Sequence, residues 1–155
     1  MKEFDLIITK GTIVDPLNGI SKGDIAISDG RIAGHFKPDS DIKSDEVIDA
    51  TGMHVFPGLI DAHVHFGFAE PVTEYTSETV YAAQGGFTSI LGYFLSNSSY
   101  KDVFETEFTH AKKRSHVDFG FHFSVANEGH LQEMDDYVRE FGVNSFKYFM
   151  NFKGE

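Results

Sequence analysis

Residues 57–66 read PGLIDAHVHF, and the organisation of the whole chain is read outward from them. Pro57-Gly58 punctuates the backbone, and the run that follows is a short strand whose polar positions are 61, 63 and 65. Successive side chains of a strand point to opposite sides, so Asp61, His63 and His65 are expected to project together while Ala62, Val64 and Phe66 face the other way. Two imidazoles converging from one strand can grip a divalent metal through nitrogen with no helix to bring them together. A pair of histidines on an amphipathic strand also arises for purely structural reasons, so the flanking sequence has to decide.

N-terminal to Pro57, short β-type runs alternate with turn chemistry: DLIIT, TIV, the turn DPLNG, DIAI, Asp29-Gly30 and RIAGHF. Asp-Gly between two alternating runs predicts a hairpin, because both central residues of a type I′ turn need positive φ. After the polar KPDSDIKSDE comes EVIDATGMHVF, read as a further short strand pair. Residues 1–57 are thus expected to form a β-meander without a helix.

C-terminal to Gly58, strand-like runs alternate with helical patterns, which is how βα units on a parallel sheet are written. The strands are placed at 58–66, 87–94, 117–125 and 143–150. The first helix is expected from a Thr73 N-cap to Gly85. The second begins at Ser99, with Asp102 reaching back as in a capping box and Val103, Phe104, Phe108 and Ala111 on one stripe. Lys112, Lys113 and Arg114 suit its negative end. The third places Leu131, Met134, Val138 and Phe141 on one face and stops at Gly142, a natural left-handed cap.

Composition narrows the classes. Thirteen Lys and Arg against 24 Asp and Glu give a formal charge of −11 with no basic run, which argues against nucleic acid as a partner. With no cysteine there is neither a disulfide framework nor a thiolate metal site, so a metal would take nitrogen and oxygen ligands. No stretch reads as a signal peptide or a membrane span, and a cytoplasmic protein is expected. The 16 phenylalanines are read as core.

Lys147 is the second chemical anchor. In VNSFKYFM it is read as sharing a strand face with Val143, Ser145 and Phe149, an apolar setting that favours the neutral amine. A neutral amine can add carbon dioxide to give a carbamate, although a strand lysine is also an ordinary snorkelling group. His122 shares a face with Gly120 and Ser124 and is read as a polar residue on the inner side of the sheet. His35, His54, His110, His116 and His130 lack partners at ligand spacing and are read as solvated or core histidines.

PGLIDAHVHF after a β-meander resembles the first barrel strand of the amidohydrolase superfamily, GVNSFKYFMNFKG resembles the fourth-strand motif of hydantoinases and dihydropyrimidinases, and DFGFHFSV resembles their third strand. The resemblance implies an α/β architecture: a β-sandwich portion at 1–57, then the first four βα units of a (β/α)₈ barrel at 58–155. Eight units take about 250 residues, so an N-terminal fragment of a longer protein, inactive by itself, is expected. An open half-barrel is expected to leave two bare strand edges and an apolar sheet face. The resemblance further implies a binuclear site, most often zinc, with His63 and His65 as ligands, Lys147 as the carboxylated bridging and catalytic residue, and carbon dioxide needed for that carboxylation. Asp61 is a candidate to orient an imidazole or to make a structural hydrogen bond at the strand start. The implied activity is hydrolysis of a cyclic amide of the hydantoin, dihydropyrimidine or allantoin kind, with a small-molecule substrate and a homo-oligomeric full-length protein, a dimer or tetramer. The alternatives are an amidohydrolase of acyclic amides and a non-catalytic binding or assembly relative. Two positions depart from the pattern. Dihydroorotases carry arginine where Gly67 stands, which disfavours that substrate, and hydantoinases commonly carry a substrate-binding tyrosine where Phe152 stands.

Overall fold

A computed structural model describes residues 3–65 and 70–150; Phe66, Gly67 and Phe152 lie outside them. The chain divides into two compact units, Met1–Pro57 and Gly58–Glu155.

The first unit is a five-stranded mixed sheet. Strand β1 (Phe4–Asp15) pairs antiparallel with β2 (Gly19–Ser28), and β2 with β3 (Arg31–Phe36). The β2–β3 connection is Asp29-Gly30 with φ of 51° and 69°, as the turn chemistry requires. The two expected runs DLIIT and TIV are one strand. A bulge between Ile8 and Gly11, with Lys10 at φ 58° and its N–H donating to the buried Asp24 carboxylate, carries it through the break.

The meander stops at β3. The two short strands expected after residue 46 form but do not pair with each other: β4 (Ser44–Asp49) and β5 (His54–Val55) both run parallel to β1 along its other edge. The polar linker after Phe36 is long enough to cross the sheet, and β1 is long enough to template both segments in turn.

The second unit is βαβαβαβ. Strands β6 (Leu59–Val64), β7 (Phe87–Phe94), β8 (Asp118–Val125) and β9 (Phe146–Tyr148) pair in that order, all parallel. Helix α1 (Pro71–Gln84) starts two residues before Thr73. Pro71 takes the first helical position, where its missing N–H costs nothing, and the Glu74 carboxylate accepts the Glu70 N–H. Helix α2 (Tyr100–Arg114) is capped by Ser99, whose Oγ accepts the Lys101 N–H; Asp102 contributes its own N–H to the Ser99 carbonyl, not a carboxylate reaching back.

Helix α3 (Glu128–Phe141) ends at Gly142 in the left-handed conformation, φ 69°. Its buried face is not the expected one: Leu131 is 57% and Val138 43% exposed, while His130 and Tyr137 are buried and Phe141 packs partly on the core. Tyr137 wins because its hydroxyl has a partner in Glu133 and its ring meets Tyr100 and Phe123. His130 wins because Nδ1 accepts the Ala126 N–H and Nε2 donates to the Ser98 carbonyl, making it a satisfied core histidine.

Tyr100, Phe104, Phe123, Tyr137 and Val143 form the core of this unit, between the sheet and helices α2 and α3. Tyr100 stacks on Phe123 at 4.0 Å between centroids. Strands β6 and β9 each have one neighbour among the described residues, and Leu59 and Ile60 on β6 are 48% and 67% exposed. No helix among the described residues is long and apolar enough to cross a membrane.

Candidate metal centre

The face of the parallel sheet opposite the helical core collects the polar side chains, and it does so toward the C-terminal ends of the strands. There His63 Nε2 lies 3.0 Å from His65 Nε2, and Lys147 Nζ lies 3.3 Å from His63 Nε2. Strands β6 and β9 are the two edges of the sheet, so the sheet must curl for their side chains to meet.

The ring between them is Tyr93, one residue before the end of β7. Its centroid is 4.4 Å from His63, 5.3 Å from His65 and 4.8 Å from His122, and Lys147 Nζ sits 4.2 Å above it. Phe149 flanks the same ammonium at 4.5 Å. Sequence reasoning missed Tyr93. The signal was there: Ser89, Leu91 and Tyr93 alternate on the face that bears His122, and the ladder sets Tyr93 directly opposite His122.

Asp61 does not project with His63. On β6, Asp61 is paired with Ile90 and Val64 with Gly92, so three steps on one strand oppose two on the other. This bulge flips the parity, because cross-strand partners share a face. Asp61 therefore shares the Ile90 face and lines a cleft of about 320 Å³ with His65, Glu78, Tyr81 and Phe87. Its carboxylate accepts the His63 backbone N–H at 3.0 Å, the structural alternative weighed for it.

Lys147 also sits in surroundings other than those expected. β9 spans only Phe146–Tyr148, and Val143 lies in the helical core. The lysine nitrogen is surrounded by aromatic and imidazole rings, not by aliphatic side chains.

Electrostatics favour a neutral imidazole at His65. Burial, reinforced by the neighbouring positive charge of Lys147 and by His63, pushes the His65 imidazole below its ordinary range, toward the neutral form that binds metal.

Two nitrogens that share one zinc at about 2.0–2.1 Å each can lie at most about 4.2 Å apart. The His63–His65 separation satisfies that limit, and nitrogen donors suit zinc. No cluster of three or more His, Asp or Glu with ligand geometry occurs among the described residues. The imidazole pair and Lys147 therefore fit one side of a metal site.

Comparison with known proteins agrees with the geometry. No family model matches the chain. It is 37% identical over 155 residues to the D-hydantoinase of Geobacillus stearothermophilus, covering 95% of this chain and 32% of that one. It is 38% identical over 161 residues to an allantoinase of Desulfitobacterium hafniense, covering 96% and 33%. A crystal structure of a D-hydantoinase superposes with a TM-score of 0.80 at 33% identity, over 96% of this chain and 34% of that one. The chain thus spans about a third of the length of the curated relatives it matches. Its mixed sheet and curled parallel sheet match the sandwich portion and the opening half of the (β/α)₈ barrel in those structures. With two histidines and a lysine gathered on that half-barrel and this identity across nearly its full extent, the chain is a homologue of the hydantoinases, allantoinases and dihydropyrimidinases and is consistent with a fragment of the amidohydrolase family.

Proposed function

We propose that the protein containing this chain hydrolyses a carbon–nitrogen bond in a cyclic amide, a ring of the hydantoin, dihydropyrimidine or allantoin kind, and that it is metal-dependent. The observation that carries this is the convergence of His63, His65 and Lys147 at the C-terminal ends of the two outermost strands, from positions 84 apart in the sequence. In barrels of this kind the C-terminal face is where catalytic groups stand.

His63 and His65 would hold one divalent ion, zinc in this reading, through their Nε2 atoms. Lys147, on adding carbon dioxide at Nζ with loss of a proton, would offer a carbamate carboxylate as a further metal ligand. When bound, the metal pair supplies polarisation of the amide carbonyl and a hydrolytic nucleophile at neutral pH. Tyr93 and Phe149 flank the lysine arm and fix where its end group stands. Tyr93 also packs against both imidazoles, limiting their rotation. Gly67 offers no cation for a substrate carboxylate and Phe152 no hydroxyl for an oxyanion, so an uncharged ring is the substrate class proposed. Within the same reading the full-length protein is a cytoplasmic homo-oligomer, and the 155 residues by themselves are inactive.

The test is metal analysis of the full-length protein together with assays on hydantoin, dihydrouracil, allantoin and N-acyl amino acids. About two zinc ions per chain, bicarbonate-dependent loading and ring opening are expected, and Lys147→Ala should lose both ions and activity. Absence of metal would make the protein a non-catalytic relative. Turnover confined to N-acyl amino acids would move it to the acyclic class.

A further inference from the structure

His122 has no task in the reading above, yet its ring crosses the sheet. It stands on β8, two strands from β6, and its Nε2 lies 3.2 Å from the Ala62 carbonyl oxygen. That carbonyl belongs to the bulge that separates the pairing of Asp61 from that of Val64.

A bulge leaves backbone groups without ladder partners. Here two are met by side chains. The His63 N–H donates to Asp61 Oδ1 at 3.0 Å, and the Ala62 carbonyl accepts from His122. A carbonyl only accepts, so Nε2 of His122 carries a proton in this contact. Its Nδ1 is buried without a partner in the chain, so the ring is turned for the sake of its Nε2 bond. The Tyr93 ring, 4.8 Å away, packs against it in that orientation.

We infer that His122 is a positioning residue: by holding the Ala62 carbonyl it locks the β6 bulge that turns His63 and His65 onto the inner face of the sheet. The bond acts on the peptide immediately before His63, so losing it frees the segment that aims both imidazoles. The backbone part of this inference stands by itself, whereas its effect on metal rests on the proposed hydrolytic function.

The test uses the full chain with His122→Leu, which keeps bulk and removes the donor, and His122→Gln, whose side-chain nitrogen reaches a similar place. Amide hydrogen exchange at residues 61–65 in metal-free protein is expected to rise at least tenfold in H122L and to return most of the way in H122Q. Zinc affinity, measured by competition with a chromophoric chelator, is expected to fall by about 10–100-fold in H122L and to recover in H122Q. Unchanged exchange in H122L, or identical behaviour of the two variants, overturns the inference, since a space-filling role would not distinguish them. Should H122L fail to fold, H122Q is compared with H122N, whose shorter arm cannot reach; equality of those two overturns it as well. If wild-type protein binds no zinc, the hydrolytic reading fails while the exchange comparison still decides the role of His122.

Discussion

Replacing Tyr100 by Phe removes one oxygen from the place where the structure depends most on a single hydroxyl. Tyr100 is fully buried, and its OH lies 2.8 Å from both the Phe94 and the Ser124 carbonyls, while the Ser96 N–H points to it at 3.3 Å. Burial pushes the phenol up to about 12, so it stays a donor at any working pH. One proton is shared between two carbonyls at the C-terminal ends of β7 and β8, next to Tyr93 and His122. The Phe variant keeps the stacking on Phe123 and the edge contact with Tyr137, so what is measured is the hydroxyl alone. A lost buried hydrogen bond with partners left unsatisfied costs about 1–3 kcal/mol. In a chain of this size each kcal/mol lowers Tm by roughly 2–4 °C. Thermal unfolding followed by circular dichroism should therefore fall by several degrees for Y100F, against a negligible change for Tyr81→Phe, whose side chain is 66% exposed. Equal melting of the two variants would refute the reasoning, because the hydroxyl would then contribute no more than a solvated one.

Two further expectations follow from the same geometry. A Cβ on Gly58 would lie 2.0 Å from Thr88 Oγ1 and 2.7 Å from Thr88 Cβ, so G58A should cost at least about 1–3 kcal/mol in urea unfolding and be partly relieved by T88A; a neutral G58A would show that the start of β6 can shift freely. Hydrogen bonds from Tyr137 and Ser99, in that order, hold the Glu133 carboxyl below its ordinary range. A depressed folded-state value stabilises above the unfolded pKa of about 4.3 and is lost as pH falls through the folded one. Glu133→Gln should therefore flatten the acid limb of the stability profile below about pH 5, and an unchanged limb would count against the Ser99–Glu133–Tyr137 link between α2 and α3.

Much of this molecule is local information. The alternation of DFGFHFSV, the Asp29-Gly30 turn and the Gly142 cap each act within a few residues, and each element forms close to where those signals lie. The parallel order of β6–β9 follows from the βα grammar, since short βα connections set successive strands side by side. His63, His65 and Lys147 could be singled out by residue type and motif, and Lys147 only because a family resemblance raised it above an ordinary strand lysine.

What the sequence could not determine depends on which strand meets which. Alternation put Asp61 on the face of His63, but the register against β7 inserts a bulge and sets it on the opposite one. Register is a property of two strands, and neither carries it alone. Tyr93 became the centre of the site because the curl of the sheet brings β6, β7, β8 and β9 around one ring, and His122 acquired a role because a carbonyl on β6 lost its ladder partner. The buried face of α3 was likewise settled by available partners: a tyrosine with Glu133 and a histidine with Ser98 displaced Leu131 and Val138 from the core. Local sequence determined the elements and nominated the ligands; tertiary pairing decided which face each side chain occupies, because a polar group's place is set by a hydrogen-bond partner that stands elsewhere in the chain.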